Sequence, residues 1–383
     1  MSTLFEPTET QAAVLETARA YAQRTLAKDA GRLDRESRFP VEHLAALAEL
    51  GLMGVNVPAE LGGAEAGAVS YALAMMEVAQ GCASTAVTMA VNNMVAETVV
   101  RFGAPALQQK YVPEITSGRF QAASFALSES HCGSDAAALR TTARRDGGGW
   151  VINGSKQWIT SGDRAGVLVV WARPDAGVAQ AKGISCFLVE GGAPGLSIGR
   201  HEEKMGLRAS STVSLAFEDL RVPSSALLGA EGQGFAIGMA ALDGGRIGIA
   251  SQAVGIGTAA LTAAVRYAKE RTAFGKLIGE FQALRFLLAD ADVELCAARL
   301  LALRAAARKE QGVPFTREGA MAKLFASEKA NRACDLAVQV HGGYGYIDEF
   351  PVERHYRDAR VTTIYEGTSE IQRLVIAREL LRD

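Results

Sequence analysis

The chain has 383 residues, 49% of them hydrophobic, which is enough for a large core and two or three domains. Forty basic against 42 acidic residues leave a formal charge of -2 with no basic block, which excludes nucleic acid or an anionic membrane as the main partner. The start, Met1–Pro7, has neither a secretion signal nor an Arg-rich transit character, and apolar runs are read as short of the roughly 20 residues that span a bilayer, so a cytoplasmic protein without a membrane span is expected.

From about residue 8 to 120 the pattern is helical, with Ala13, Leu15 and Ala18, then His43 to Leu50, then Ala72 to Val78, punctuated by Pro40, Pro58 and Pro105. From about 121 to 225 the period changes. Val167 to Ala172, Ile184 to Glu190 and Val213 to Val222 are β-branched or aromatic runs separated by clusters such as Gly147-Gly148-Gly149, which predict a small β domain. Between Pro223 and Pro314 proline is absent, and Leu284, Leu287, Leu288, Ala291, Leu295 and Ala298 recur at helical spacing, as in a bundle. The expected architecture is a multidomain α+β chain: an N-terminal α-helical domain (1–120), a middle β-barrel-like domain (121–228) and a C-terminal four-helix bundle (229–383).

The five cysteines are scattered without a C-x-x-C pair, which predicts reduced thiols and no structural metal; H-E-x-x-H and G-x-S-x-G are also absent. Six segments carry candidate chemistry. Phe125 to Asp135 joins a strand to a polar turn whose N–H groups and hydroxyls suit a ring edge or a phosphate, or make an ordinary turn. Asn153-Gly154 reads as a hairpin turn ahead of Trp158 and Thr160, which share a strand face; the alternative is a core Trp with a satisfied Thr. Asp243-Gly244-Gly245-Arg246 places two glycines in a helix, explained by ligand access or close packing, with an Asp243–Arg246 pair at i,i+3 as the structural alternative. Arg271 to Gly275 with Gln282 breaks the helical pattern, either for a diphosphate contact or simply to turn between helices. Gln339 to Tyr346 clusters glycines without forming G-x-G-x-x-G after a strand, so a Rossmann site is not indicated. Finally, Ile364 to Glu370 sets Glu366 between Tyr365 and Gly367, before a helix that Thr368 or Ser369 can cap. It reads either as a shielded, tuned base or as a capping loop with a solvated Glu.

In this order the segments resemble the acyl-CoA dehydrogenase family over nearly the whole chain, most specifically Ala126 to Asp135 and Gln339 to Glu349 with Arg354 and Asp358. The resemblance implies FAD, an acyl-CoA substrate, a homotetramer and an electron-transfer flavoprotein as acceptor, in fatty acid β-oxidation. It implies that Ser128, Trp158 and Thr160 meet the flavin, together with Phe125, Leu127, Gly133 and Ile159, and that Ser134 lies near both cofactor and substrate. Arg271, Phe274, Gln282, Gln339, Gly342 and Gly343, with Thr368 and Glu370, would hold the diphosphate and adenosine, partly across a subunit interface, and Asp243, Arg246 and Gly367 would border the substrate. Glu366 would take the α proton of a short- to medium-chain acyl-CoA while hydride leaves for flavin N5, giving the trans-2-enoyl-CoA. Some branches carry the base at the position held here by Gly245. With Ala83-Ser84-Thr85 and Val91-Asn92-Asn93, the chain looks most like the short-chain (butyryl) branch. Ser130-His131-Cys132 departs from the usual first signature. Alternative functions are an acyl-CoA oxidase or flavin monooxygenase on the same fold, and a non-catalytic flavoprotein or thioester-binding scaffold.

Overall fold

A computed structural model describes residues 6–174 and 180–382; Met1 to Phe5 of the chain start read above lie outside them. The first helical block holds α1 (Glu9–Tyr21), α2 (Ala27–Glu36), α3 (Val41–Glu49), α4 (Gly67–Gly81), α5 (Ala83–Phe102) and α6 (Pro105–Thr116). Thr8 starts α1 with a reciprocal capping box, its hydroxyl accepting from the Gln11 N–H and the Gln11 side chain accepting from its own N–H. Helices α4 and α5 are almost wholly buried between the outer helices and the rest of the molecule, and α5 buries polar Ser84, Thr85, Thr88, Asn92, Asn93 and Thr98 with its apolar residues.

The β region contains β1 (Ala122–Ala126), β2 (Thr142–Asp146), β3 (Gly149–Thr160), β4 (Ala165–Ala172), β5 (Ser185–Glu190), β6 (Leu196–His201), β7 (Thr212–Pro223) and β8 (Leu227–Leu228). They form two four-stranded sheets, β1-β4-β5-β8 and β2-β3-β7-β6. Side chains including Trp150, Ile152, Leu168, Phe187 and Phe217 fill the space between the sheets. The other face of the first sheet packs Val167, Val169 and Trp171 against Val95 and Val99 of α5. This burial on both faces explains why β4 is a continuous apolar run rather than an alternating one.

One local expectation is corrected here. Asn153-Gly154 is not a turn but lies inside the long strand β3, where the register with β7 shifts between Ile152 and Gly154. Asn153 exchanges hydrogen bonds with Asp219 of β7 (3.1 and 2.8 Å), and a Cβ on Gly154 (φ 144°) would meet Thr141. The glycine therefore serves a bulge, and the turn from β2 to β3 is made by Gly147-Gly148.

The C-terminal block holds α7 (Gly234–Glu270), a short hairpin of β9 (Thr272–Ala273) and β10 (Lys276–Leu277), then α8 (Gln282–Glu310), α9 (Thr316–His341), α10 (Val352–Arg360) and α11 (Ser369–Leu380). The reading that apolar runs fall short of a span's length is corrected at α7. The run from Ile247 to Val265 carries no charge, and the helix is long and apolar enough to cross a membrane. Its most apolar stretch is 83% buried inside the protein, because α7 is the central helix against which α4, α8 and α9 pack. Alanines make that approach close: Ala250 and Ala253 of α7 meet Ala298 and Ala302 of α8 and Ala326 and Ala330 of α9. On α8, Ala291, Leu295 and Ala298 are buried as the periodicity predicts, but Leu287 is exposed with Phe286 and Val293, leaving an apolar outer face.

Candidate active site

The loop between α10 and α11 bends so that Glu366 takes φ 54°, a left-handed conformation that costs a non-glycine residue roughly 1 kcal/mol. Gly367 follows at φ 88°. Thr368 ends the bend as the N-cap of α11, its hydroxyl accepting from the Ile371 N–H at 3.3 Å. The capping role expected of this loop is therefore filled by Thr368, which frees Glu366 from it. The Tyr365 hydroxyl donates to Gln252 of α7, whose amide donates to the Ala83 carbonyl at 2.9 Å, so the aromatic neighbour of Glu366 is anchored on two helices.

Glu366 points into a cavity of about 930 Å³ bounded by the β domain, α5, α7 and this loop. Its Oε2 is buried without a hydrogen-bond partner. Burial pushes the carboxyl up to about 7, against the pull of Arg246 and Lys323 in the other direction. The space over Gly245 belongs to this carboxylate, since a Cβ there would run into it. Arg246 is buried on the same turn of α7 and pairs with Asp243 at 2.5 Å, and the second Asp243 oxygen accepts from Thr316 of α9 at 2.6 Å. Both readings of this segment are thus present at once: the structural ion pair exists, and its arginine borders the cavity. Asp243 itself acts through Arg246 and does not line it.

The same cavity is lined by Phe125, Leu127, Ser128, Gly133 and Ser134, then by Trp158, Ile159 and Thr160. Strand alternation does not explain that second group, because the register of β3 against β7 slips between Lys156 and Ile159 and Trp158 sits at φ 63°. The slip turns Trp158 out of the core to 60% exposure, while Ile159 beneath it stays buried. The first loop is fixed from below by Lys156, fully buried, whose ammonium donates to the Leu127 carbonyl (3.1 Å) and to Glu129 (2.9 Å). Glu129 also accepts from the backbone N–H groups of Arg140 and Thr141 and from the Thr141 hydroxyl. Burial pushes Glu129 up, but Lys156 and these donors prevail and hold it below the usual carboxylate range. Ligand atoms of Glu129, His131 and Cys132 lie within 4.8 Å of one another, and one oxygen of this Glu129 already accepts from the Lys156 ammonium.

The remaining predicted residues gather elsewhere. Arg271, Gln339, Gly342 and Gly343 line a second cavity of about 470 Å³ with Tyr267, His341 and Tyr344. The Arg271 guanidinium lies 5.9 Å from the Tyr344 ring centroid, and both glycines face open space. Phe274 is 96% exposed at the tip of the β9–β10 hairpin, and Gln282 and Glu370 are exposed at the starts of α8 and α11; none of the three lines either cavity. Within one chain the predicted positions therefore fall into two clusters, plus these three surface residues and Asp243, which reaches the large cavity only through Arg246.

Several cavity residues escaped the sequence reading. The segment Glu202 to Leu207 forms one wall and is pinned to α10, where buried Asp358 accepts from the Leu207 N–H at 2.6 Å and Arg357 donates to the Met205 carbonyl at 3.1 Å. Its one legible signal was Gly206, whose Cβ would strike the Arg357 backbone. Lys323 of α9, which does not line the cavity but donates to the Gly367 carbonyl beside it, was also missed.

Glu366 Oε2, Arg246 Nε and Ser210 Oγ are all buried without partners, and all three residues line the large cavity. Buried polar atoms left unpaired cost stability. Their convergence beside an exposed indole fits a large, flat, polar-edged ligand such as a flavin together with a thioester.

Comparison with known proteins agrees with this shape. The sequence matches the family profiles described as acyl-CoA dehydrogenase N-terminal domain over residues 8–119, middle domain over 124–220 and C-terminal domain over 232–381. The mitochondrial short-chain specific acyl-CoA dehydrogenase of Bos taurus is 51% identical over 375 residues, 98% of this chain and 90% of its own. The structure of butyryl-CoA dehydrogenase from Megasphaera elsdenii superposes with a TM-score of 0.96 at 40% identity, covering 99% of this chain and 100% of that one. A chain solved in work on the electron transferring flavoprotein of Acidaminococcus fermentans superposes at 0.97 with 42% identity, covering 99% and 100%.

Proposed function

The chain belongs to the acyl-CoA dehydrogenase family, an oxidoreductase and flavoprotein family, and from that premise we propose that it converts a short- to medium-chain acyl-CoA to the trans-2-enoyl-CoA with Glu366 as the base. The observation that carries the assignment is the Glu366 carboxylate itself: half-buried overall, with Oε2 enclosed and unpartnered, lining the cavity and pushed up to about 7 by desolvation. A general base works best when its pKa lies near the working pH, where roughly half of it is ionised. The α C–H of a thioester is a weak acid, so its proton leaves only as charge on the thioester oxygen is stabilised, a task for the Glu366 backbone N–H. Bound FAD supplies the acceptor for the hydride that leaves the β carbon. Ser128, Trp158 and Thr160 would orient its ring, Ser134 would stand between cofactor and substrate, and the apolar end near Val91, Met94, Met239 and Ile249 would take a short acyl tail.

Arg271, Phe274, Gln282, Gln339, Gly342, Gly343 and Glu370 would serve the diphosphate and adenosine of a neighbouring protomer's FAD in a homotetramer. The separation of the two cavities, the exposure of Phe274 and the apolar outer face of α8 support that reading. An electron-transfer flavoprotein is the proposed acceptor, in keeping with the family.

The test is anaerobic addition of straight, branched and aryl acyl-CoAs to the yellow holoprotein, followed by loss of flavin absorbance. Short straight-chain substrates bleach the wild type. Glu366→Gln, with FAD still bound, slows bleaching by roughly 10⁴-fold, at the upper end of general-base effects. Unchanged bleaching in that variant removes Glu366 as the base, and rapid reoxidation in air identifies an oxidase or monooxygenase instead.

A further inference from the structure

Under the base-bearing loop lies a charge that packing does not require. Lys323 lies inside the N-terminal third of α9 with no exposed surface, and among the described residues it makes no carboxylate ion pair. Its neighbours on the buried face, Ala322, Ala326 and Ala330, are apolar and fully buried. Burying an ammonium costs several kcal/mol unless it does something that an apolar side chain cannot. Its ammonium donates to the Gly367 carbonyl at 2.7 Å, directly after the proposed base. The Gln372 amide, from α11, donates to the same carbonyl at 2.9 Å and to the Glu366 carbonyl at 3.1 Å. The left-handed turn at Glu366 is thus clamped from two helices, once by a neutral donor and once by a cation.

We infer that Lys323 is a positioning residue for the proton acceptor: it fixes the Gly367 carbonyl, and with it the bend at Glu366, while holding a positive charge beneath the carboxylate. The inference rests on Glu366 being the base. The groups facing that carboxylate are Arg246 from α7, Lys323 from α9 and the phenols of Tyr71 on α4 and Tyr365. Arg246 is engaged by Asp243 and lies in the field of Arg378, while Glu370 faces Lys323 from α11. Burial pushes Lys323 down to about 8 against the opposing pull of Glu366, which leaves the lysine mostly charged at neutral pH. Removing that charge disfavours the ionised carboxylate, so proton abstraction should need more alkaline conditions.

The experiment compares holoenzymes of wild type, Lys323→Met, Lys323→Gln, Lys323→Arg and Glu366→Gln, reading kcat/KM for butyryl-CoA against pH and flavin content by absorbance. In Lys323→Met the acid limb moves up by about one pH unit, which lowers the rate about tenfold below the limb. Lys323→Gln keeps a donor without charge and shows the same displacement, providing the reading if the Met variant does not fold. Lys323→Arg keeps the wild-type limb. A uniform loss across pH with the limb unmoved in Lys323→Met or Lys323→Gln overturns the inference and leaves a purely structural lysine. Glu366→Gln separates the two questions, since wild-type activity there would instead overturn the base assignment.

Discussion

Replacing Gly245 with alanine should separate helix stability from catalysis. Gly245 lies inside α7, where alanine is favoured over glycine by roughly 1 kcal/mol, a gain of about 1–3 °C in melting temperature. The new methyl, however, would stand 2.9 Å from Cδ of Glu366 and 3.2 Å from its Oε1, and closer still to Oε2. Carbon atoms settle about 3.5–4.0 Å apart, so the carboxylate must retreat by roughly 1 Å, a misplacement worth about 10²-fold in rate. Gly244 provides the control one residue away, because its Cβ would meet only the flexible end of Lys309, at 3.4 Å. Gly244→Ala should share the thermal gain and keep wild-type turnover. The assay is anaerobic flavin bleaching alongside a thermal melt of each holoprotein. If Gly245→Ala melts higher and also bleaches at the wild-type rate, the working carboxylate does not occupy the space over residue 245, and the geometric argument for it falls.

The buried ion pair under the first signature makes a second prediction. Lys156→Met strands Glu129 without its cation and should cost about 3–5 kcal/mol in denaturant unfolding, with weakened flavin retention, whereas Glu129→Gln in the same chain should recover part of the loss. Retention and stability equal to wild type in Lys156→Met would show that the donors from Arg140 and Thr141 suffice alone. His355 on α10 sets a pH effect of definite sign. Burial first, and Arg354 second, push its imidazole down to about 3, so the folded chain refuses a proton that the unfolded chain takes near 6.5. Its contribution is complete above pH 6.5 and is lost as pH falls from 6.5 toward 3. Nearby Asp358, pushed up to about 6 by burial, works in the opposite direction below pH 6. The melting temperature should therefore drop most steeply just below pH 6.5, and His355→Leu should flatten that drop; parallel curves for the two proteins would refute the assignment.

What the sequence could reveal was whatever the local chain decides. The cap at Thr368, the runs that became β4, β5 and β7, and the break at Arg271 to Gly275 depend on neighbours a few residues away. Asn153-Gly154 has the same local signature as a hairpin turn, and only pairing with β7 and the approach of Thr141 make it a bulge. The α7 run from Ile247 to Val265 likewise reads as membrane-like in isolation and as a core helix once three alanine-lined helices surround it. The site shows the limit most clearly. Glu366, Gly245 and Lys323 come from three separate elements, and none of the three is explained by its own helix or loop. Gly245 is poor for a helix, Lys323 is poor for a core, and Glu366 is poor for a left-handed bend. Each of these local costs is resolved by one of the others: the glycine makes room for the carboxylate, and the lysine holds the bend and favours the charge. Locally unfavourable residues that settle one another's costs across the fold mark a functional site more reliably than any one motif does. That convergence gives the Glu366 loop a chemical reading which its own sequence, equally good as a capping loop, could not decide.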